Sequence, residues 1–168
     1  MAVISKWSNV QVAIQSTLGS PITITAISKA DPGNVTATAH GVADGEYALL
    51  TVQGMSQVNN RVFRATGGTA NDFDLEGEDT TNYGTFTSGT LNEITFGTTM
   101  ATVTGLAAAG GDFDFIDTTT IHDTVRTQIP GLPSPATYTL TNFWDVSDAA
   151  LIALKEASDA QATRAIRF

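Results

Sequence analysis

Short runs of alternating apolar and polar residues recur along the chain, and most end at glycine, proline, asparagine or aspartate. They are ITITAI (22–27), NVTATAH (34–40), YALLTV (47–52), RVFRAT (61–66), DFDLEG (72–77), ATVTGL (101–106), DFDFID (112–117) and ATYTLTNFW (136–144). A period of two sends alternate side chains to opposite faces of an extended strand. Short strands at this spacing predict a sandwich or a barrel. About one residue in six is threonine, a β-branched type suited to half-exposed pleated surfaces. The intervening turns have their own chemistry: Pro32 presets φ, and Gly33, Gly41, Gly45, Gly67 and Gly68 allow positive φ.

One stretch breaks the pattern. DVSDAALIALKEASDA (145–160) places Ala150, Leu151, Leu154 and Ala157 on one face at helical spacing. Asp145 or Ser147 is expected to cap it, with Asp148 in the first turn. The spacing predicts a helix over about 146–158 whose apolar stripe packs on a sheet. The expected fold class is therefore mainly β and antiparallel, with one covering helix.

Several classes of function are disfavoured. There is no cysteine, so disulfide frameworks, thiolate zinc sites and a cysteine nucleophile are excluded. No apolar run approaches the roughly 20 residues that span a bilayer. MAVISKWSNVQVAIQ lacks the charged start and apolar stretch of a signal peptide, so synthesis in a cytoplasm and no membrane partner are expected. Eight basic residues face seventeen acidic ones, a formal net charge of -9. Phosphate-backbone binding needs clustered Lys and Arg, which the chain lacks.

Other residues invite chemical readings. His122 beside Asp123 resembles a base and its orienter, yet adjacent side chains on an extended segment point apart, and no nucleophile is positioned. His40 precedes Gly41 and reads as a polar turn residue. DFDLEGED (72–79) is rich in oxygen ligands but lacks a calcium-loop pattern, and its alternation puts Phe73 and Leu75 on one face and the acids on the other. TGGTAN and AAAGGD lead into no helix with a lysine and are not phosphate loops. The expectation is no enzyme, no cofactor and no metal. Trp7 and Trp144 leave a carbohydrate-binding or other β-sandwich adhesion module as the alternative, although a Trp144 anchor that is buried or at an interface is favoured.

The stretch 35–90 resembles a small β-module of phage structural proteins. Its features are the Thr-Ala-His-Gly start (38–41), the Asp44-Gly45 turn, GMSQVNNRVF (54–63), NDFDLEG (71–77) and the Tyr83-Gly84 pair before TSGT. That module is likened to the first catalytic cysteine half-domain of ubiquitin-activating enzymes. The likeness concerns fold, and without cysteine it implies no ubiquitin chemistry.

The stretch 103–160 is similar to the tail tube protein of long-tailed, non-contractile (siphovirus-type) phages. The shared pattern is a strand ending in Ile116-Asp117, the threonines Thr118, Thr119 and Thr120, and a polar loop with Arg126. Then come Ile129, Pro130, Gly131 and Leu132, an aromatic-acid pair at Trp144-Asp145, and a helix with Leu151 and Leu154. The resemblance implies a β-sandwich whose strands join those of neighbours into a barrel. Six subunits would form each ring, and rings would stack into a hollow tube in the virion tail. It implies self-association, tape-measure, tail-terminator and distal tail proteins as partners, and transient passage of DNA. The assembly loop would comprise Thr118, Thr119, Thr120, Asp123, Arg126, Ile129, Pro130, Gly131 and Leu132, with Asp117, Asp123 and Arg126 offering charge pairs to a neighbour. Alternation in DFDFID makes Asp112 and Asp114 the expected lumen acids, with Phe113 and Phe115 inward.

The expected organisation is a tail-tube core of 1–27 and 91–168, with a small β-barrel module inserted at 28–90. Members of the family usually continue past the helix with further strands, and ATRAIRF (162–168) is expected to begin one.

Overall fold

A computed structural model describes residues 11–168. The fold is mainly β, with antiparallel sheets and one helix. Its strands are β1 (Val12–Leu18), β2 (Ile22–Ile24), β3 (Ala26–Ile27), β4 (Asn34–Thr36), β5 (Tyr47–Gln53), β6 (Arg61–Thr66), β7 (Asp72–Leu75) and β8 (Ser88–Met100). After these come β9 (Val103–Ala109), β10 (Phe113–Asp117), β11 (Gln128–Pro133), β12 (Thr137–Asn142), the helix α1 (Ala149–Asp159) and β13 (Ile166–Arg167). By contacts the chain forms two compact units. One comprises the described residues up to 100 together with 147–168; the other comprises 101–146.

The first unit contains a closed barrel. Its strands run in the order β8, β5, β6, β7, β4, β3. Thr25 alone separates β3 from β2, and β2 pairs with β8 through Ile22–Leu91, Thr23–Thr90 and Ile24–Gly89. Residues 22–27 thus act as one interrupted strand that returns the sheet to its starting strand. Closure removes the free edges that would otherwise template pairing with other chains. Alternation supplies the interior: Val35, Ala48, Leu50, Phe73, Leu75 and Leu91 are fully buried, and the whole barrel core comes from residues 24–91. Each such side chain larger than alanine contributes roughly 1.5–3 kcal/mol by leaving water. Gly54, at φ +87°, lets the chain pass close to Thr85, because a Cβ there would run into the Thr85 carbonyl oxygen.

The module expected at 28–90 carries most of this barrel, but the barrel also uses 22–27 and the first half of β8. A boundary between 90 and 91 runs through β8. This 13-residue strand serves two neighbourhoods. Residues 88–94 pair with β5, and residues 94–100 pair with β1. β1 pairs in turn with β13, through Ala13–Arg167 and Ile14–Ile166, so ATRAIRF does supply a strand, of two residues.

The helix begins later than expected. Its N-cap is Asp148, rather than Asp145 or Ser147; the Asp148 carboxylate accepts from the amides of Ala150 (2.8 Å) and Leu151 (3.4 Å). A cap needs extended backbone just ahead of the first turn, and Asp148 has it (φ -73°, ψ 110°). Ala150, Leu151 and Ala157 are buried, and α1 packs on β1 and β8. The stripe read from the sequence is the covering face.

Candidate assembly surface

The second unit, residues 101–146, consists of two ladders. β9 pairs with β12 from Val103–Asn142 to Ala109–Thr137. β10 pairs with β11 through Phe113–Pro133, Phe115–Pro130, Ile116–Ile129 and Asp117–Gln128. IPGL, which the resemblance assigns to the assembly loop, is therefore strand. Pro130 and Pro133 lack an amide donor and so suit a strand with an unpaired side. Gly131 is required by close approach: a Cβ there would lie 2.9 Å from the Asp114 carbonyl oxygen.

Ten residues link β10 to β11, and their polar groups bind one another. Arg126 donates to Asp117 Oδ2 from Nε (3.0 Å) and Nη2 (2.8 Å), and the Thr119 amide donates to Asp117 Oδ1 (2.9 Å). The Thr118 amide donates to the Thr127 carbonyl (3.0 Å), and the Thr127 amide to Thr119 Oγ1 (3.0 Å). Asp123 Oδ2 accepts from the Thr120 amide (2.7 Å) and hydroxyl (3.0 Å). These bonds favour the charged carboxylates. Bonding to Thr119, and then to Arg126, holds Asp117 below the ordinary carboxyl range, and Thr120 does the same for Asp123. The charges expected to pair with a neighbour thus already fix the loop from within. His122 and Asp123 form no base-orienter pair: the Asp123 carboxylate is engaged by Thr120, and His122 contributes its backbone amide, to Thr120 Oγ1 (3.4 Å).

The apolar side chains behave oppositely. No residue of 101–146 belongs to the buried hydrophobic core. Of the sixteen exposed large hydrophobics among the described residues, eleven lie in this unit. Phe113 and Phe115, expected to pack inward, are half exposed or more (51% and 64%), as are Ile116 and Ile129. Leu132 is 87% exposed. Trp144 is exposed rather than buried, and Trp7 lies outside the described residues. Asp112 and Asp114 are exposed, the first just ahead of β10 and the second on it, where Asp114 and Ile116 alternate with Phe113 and Phe115. The Asp112 carbonyl accepts from the Ser134 amide (2.8 Å), which anchors that end of the ladder.

The sequence reading missed the two exposed aliphatic side chains of the loop, Ile121 and Val125. Their signal was present: aliphatic residues inside an otherwise polar turn have no local reason to be there. His40, read as a polar turn residue, is buried. Its Nδ1 accepts from the Val42 amide (3.1 Å), and its Nε2 faces the Asp72 carbonyl (3.3 Å).

Among the described residues, no cluster of His, Asp and Glu could hold a metal ion, and no helix is long and apolar enough to cross a membrane. What the second unit offers is many exposed apolar side chains carried on two short ladders. Residues 53–168 match the family model described as phage tail tube protein, TTP. No curated protein matches the chain.

Proposed function

Since the chain belongs to the phage tail tube protein family, with a structural role in the tail, we propose that its copies close into rings, six to a ring, that stack into a hollow conduit for DNA. The observation that carries this reading is the second unit: eleven exposed large hydrophobics and no buried core of its own. Such a unit gains its core by lying against other copies. Among the described residues β10–β11 and β9–β12 are two-stranded ladders, whose outer edges give those copies a route to pair. Cyclic closure then limits each ring.

In the same reading, Thr118, Thr119, Thr120, Asp123 and Arg126 shape the assembly loop, and Ile129, Pro130, Gly131 and Leu132 form its contact strand. A loop already ordered by its own hydrogen bonds loses less entropy on docking than a flexible one. The barrel lies outside the tube. Its closed wall and separate core suit an appended lobe. Tape-measure, tail-terminator and distal tail proteins are the partners in the virion, and synthesis takes place in the host cytoplasm.

Phe113 and Phe115 are covered by neighbouring copies, and Asp112 and Asp114 line the lumen. An acidic wall suits a conduit, because each phosphate contact would release counterions, add affinity and slow sliding. At physiological salt the Debye length is about 8 Å, so the repulsion acts only near the wall.

Electron microscopy of concentrated purified protein tests the reading. Tubes of stacked rings are the expected result. Monomers alone, at high concentration and with the distal tail proteins added, would overturn it.

A further inference from the structure

At the tip of the β10–β11 hairpin the side chains divide into two sets. Asp117, Thr119, Thr120, Asp123 and Arg126 bond to one another and set the loop's shape. Ile121 and Val125 project into water, 96% and 72% exposed. Asp123 uses Oδ2 for Thr120, which leaves Oδ1 open among the described residues. The tip is a preformed knob with two aliphatic groups and one carboxylate edge.

The first unit carries a groove of about 440 Å³, lined by Tyr47, Val62, Phe96, Ile166, Arg167 and Phe168. Tyr47 and Phe96 meet edge to face, with centroids 5.1 Å apart. The Arg167 guanidinium lies 5.7 Å from the Tyr47 centroid and 5.3 Å from that of Phe96. Among the described residues, no hydrogen bond or ion pair engages its side-chain donors. Glu46 and Glu93 line an adjoining cleft of about 160 Å³, where the Glu46 carboxylate accepts from the Ala43 amide (2.7 Å). Val62, Ile166 and Phe168 are partly exposed around the groove. Aromatic rings near a guanidinium leave its in-plane N–H groups to bind a carboxylate, while the surrounding groove takes aliphatic groups.

We propose that this groove receives the hairpin tip of a second copy of the chain. Ile121 and Val125 fill the apolar part, and the Asp123 carboxylate meets Arg167. The match is one of both charge and polarity. Knob and groove are different surfaces, so each copy uses both and the contact propagates head to tail instead of closing on a single partner. The inference rests on the reading that copies assemble, and it adds the surface on which they do so.

The absence of cysteine makes the test clean, because introduced thiols are the only ones present. Val62→Cys and Ile121→Cys proteins are mixed and treated with a short bifunctional thiol reagent. The mixture is expected to give a covalent dimer that neither protein gives alone. The double variant V62C/I121C is expected to give a ladder of oligomers. Absence of the dimer from the mixture, under conditions where light scattering reports polymer, would overturn the proposal. So would dimers from Val62→Cys alone, which would assign the groove to a second groove. If the unmodified protein forms no tubes yet the mixture still cross-links, the docking stands and the tube reading fails. As a second arm, Arg167→Glu, with an unchanged circular dichroism spectrum, is expected to lower cross-linking about tenfold. Cross-linking indifferent to Arg167→Glu would remove the charge contact from the proposal.

Discussion

Replacing His40 with alanine should cost the protein about 3 kcal/mol. The imidazole is buried, at 2% exposure. Its Nδ1 accepts from the Val42 amide, which places the ring proton on Nε2, where it is donated to the Asp72 carbonyl. Its ring also lies 5.1 Å from that of Phe73, tilted by 59°. Truncation strands the Val42 N–H in a buried position, at about 1–3 kcal/mol. Losing the ring contact adds about 0.5–1.5 kcal/mol. For a chain of this size, roughly 2–4 °C of melting temperature goes with each kcal/mol. A fall of roughly 6–12 °C is therefore expected in thermal denaturation followed by circular dichroism. His40→Asn should lose less, because a side-chain carbonyl can still accept from Val42. The reasoning is refuted if His40→Ala melts within about 0.5 kcal/mol of the parent, the range of an ordinary surface substitution, or if alanine and asparagine are equivalent.

Asp148→Ala removes the cap of α1 and should destabilise the protein by about 1 kcal/mol, read as a lower urea midpoint at unchanged slope. Asp117 and Asp123 have carboxyls held below their ordinary range in the folded loop. The loop order they provide is thus complete above the unfolded carboxyl range and is lost as pH falls through the folded values. Polymerisation followed by light scattering should weaken in that acidic window, and Asp117→Asn should blunt the dependence; an unaltered pH profile in that variant would count against the loop's role. Exchanging Ile129–Leu132 for a Gly-Ser stretch should abolish tube growth while the spectrum stays β-rich, and normal tubes would remove the contact strand from the assembly. Changing Asp112 and Asp114 to lysine should leave tubes intact but impair genome ejection, and normal infectivity of such virions would show that these acids do not line the conduit.

Strand identity was largely a local matter. RVFRAT coincides with β6, and the alternation of DFDLEG put Phe73 and Leu75 into the core, because a period of two with one buried face admits one register. The helix stripe of Ala150, Leu151 and Ala157 was equally readable, since spacing alone selects the face. Net charge and the lack of cysteine likewise needed no coordinates. What only tertiary structure decided was everything set by pairing between distant segments. Closure of the barrel depends on residues 22–27 meeting both β4 and β8, and no local pattern in ITITAI announces two partners. The fate of DFDFID turned on the same point. Its alternation is as clean as that of DFDLEG, yet Phe73 is buried within the chain while Phe113 and Phe115 face water. A strand's pattern specifies which side chains share a face; whether that face is covered depends on which other surface reaches it.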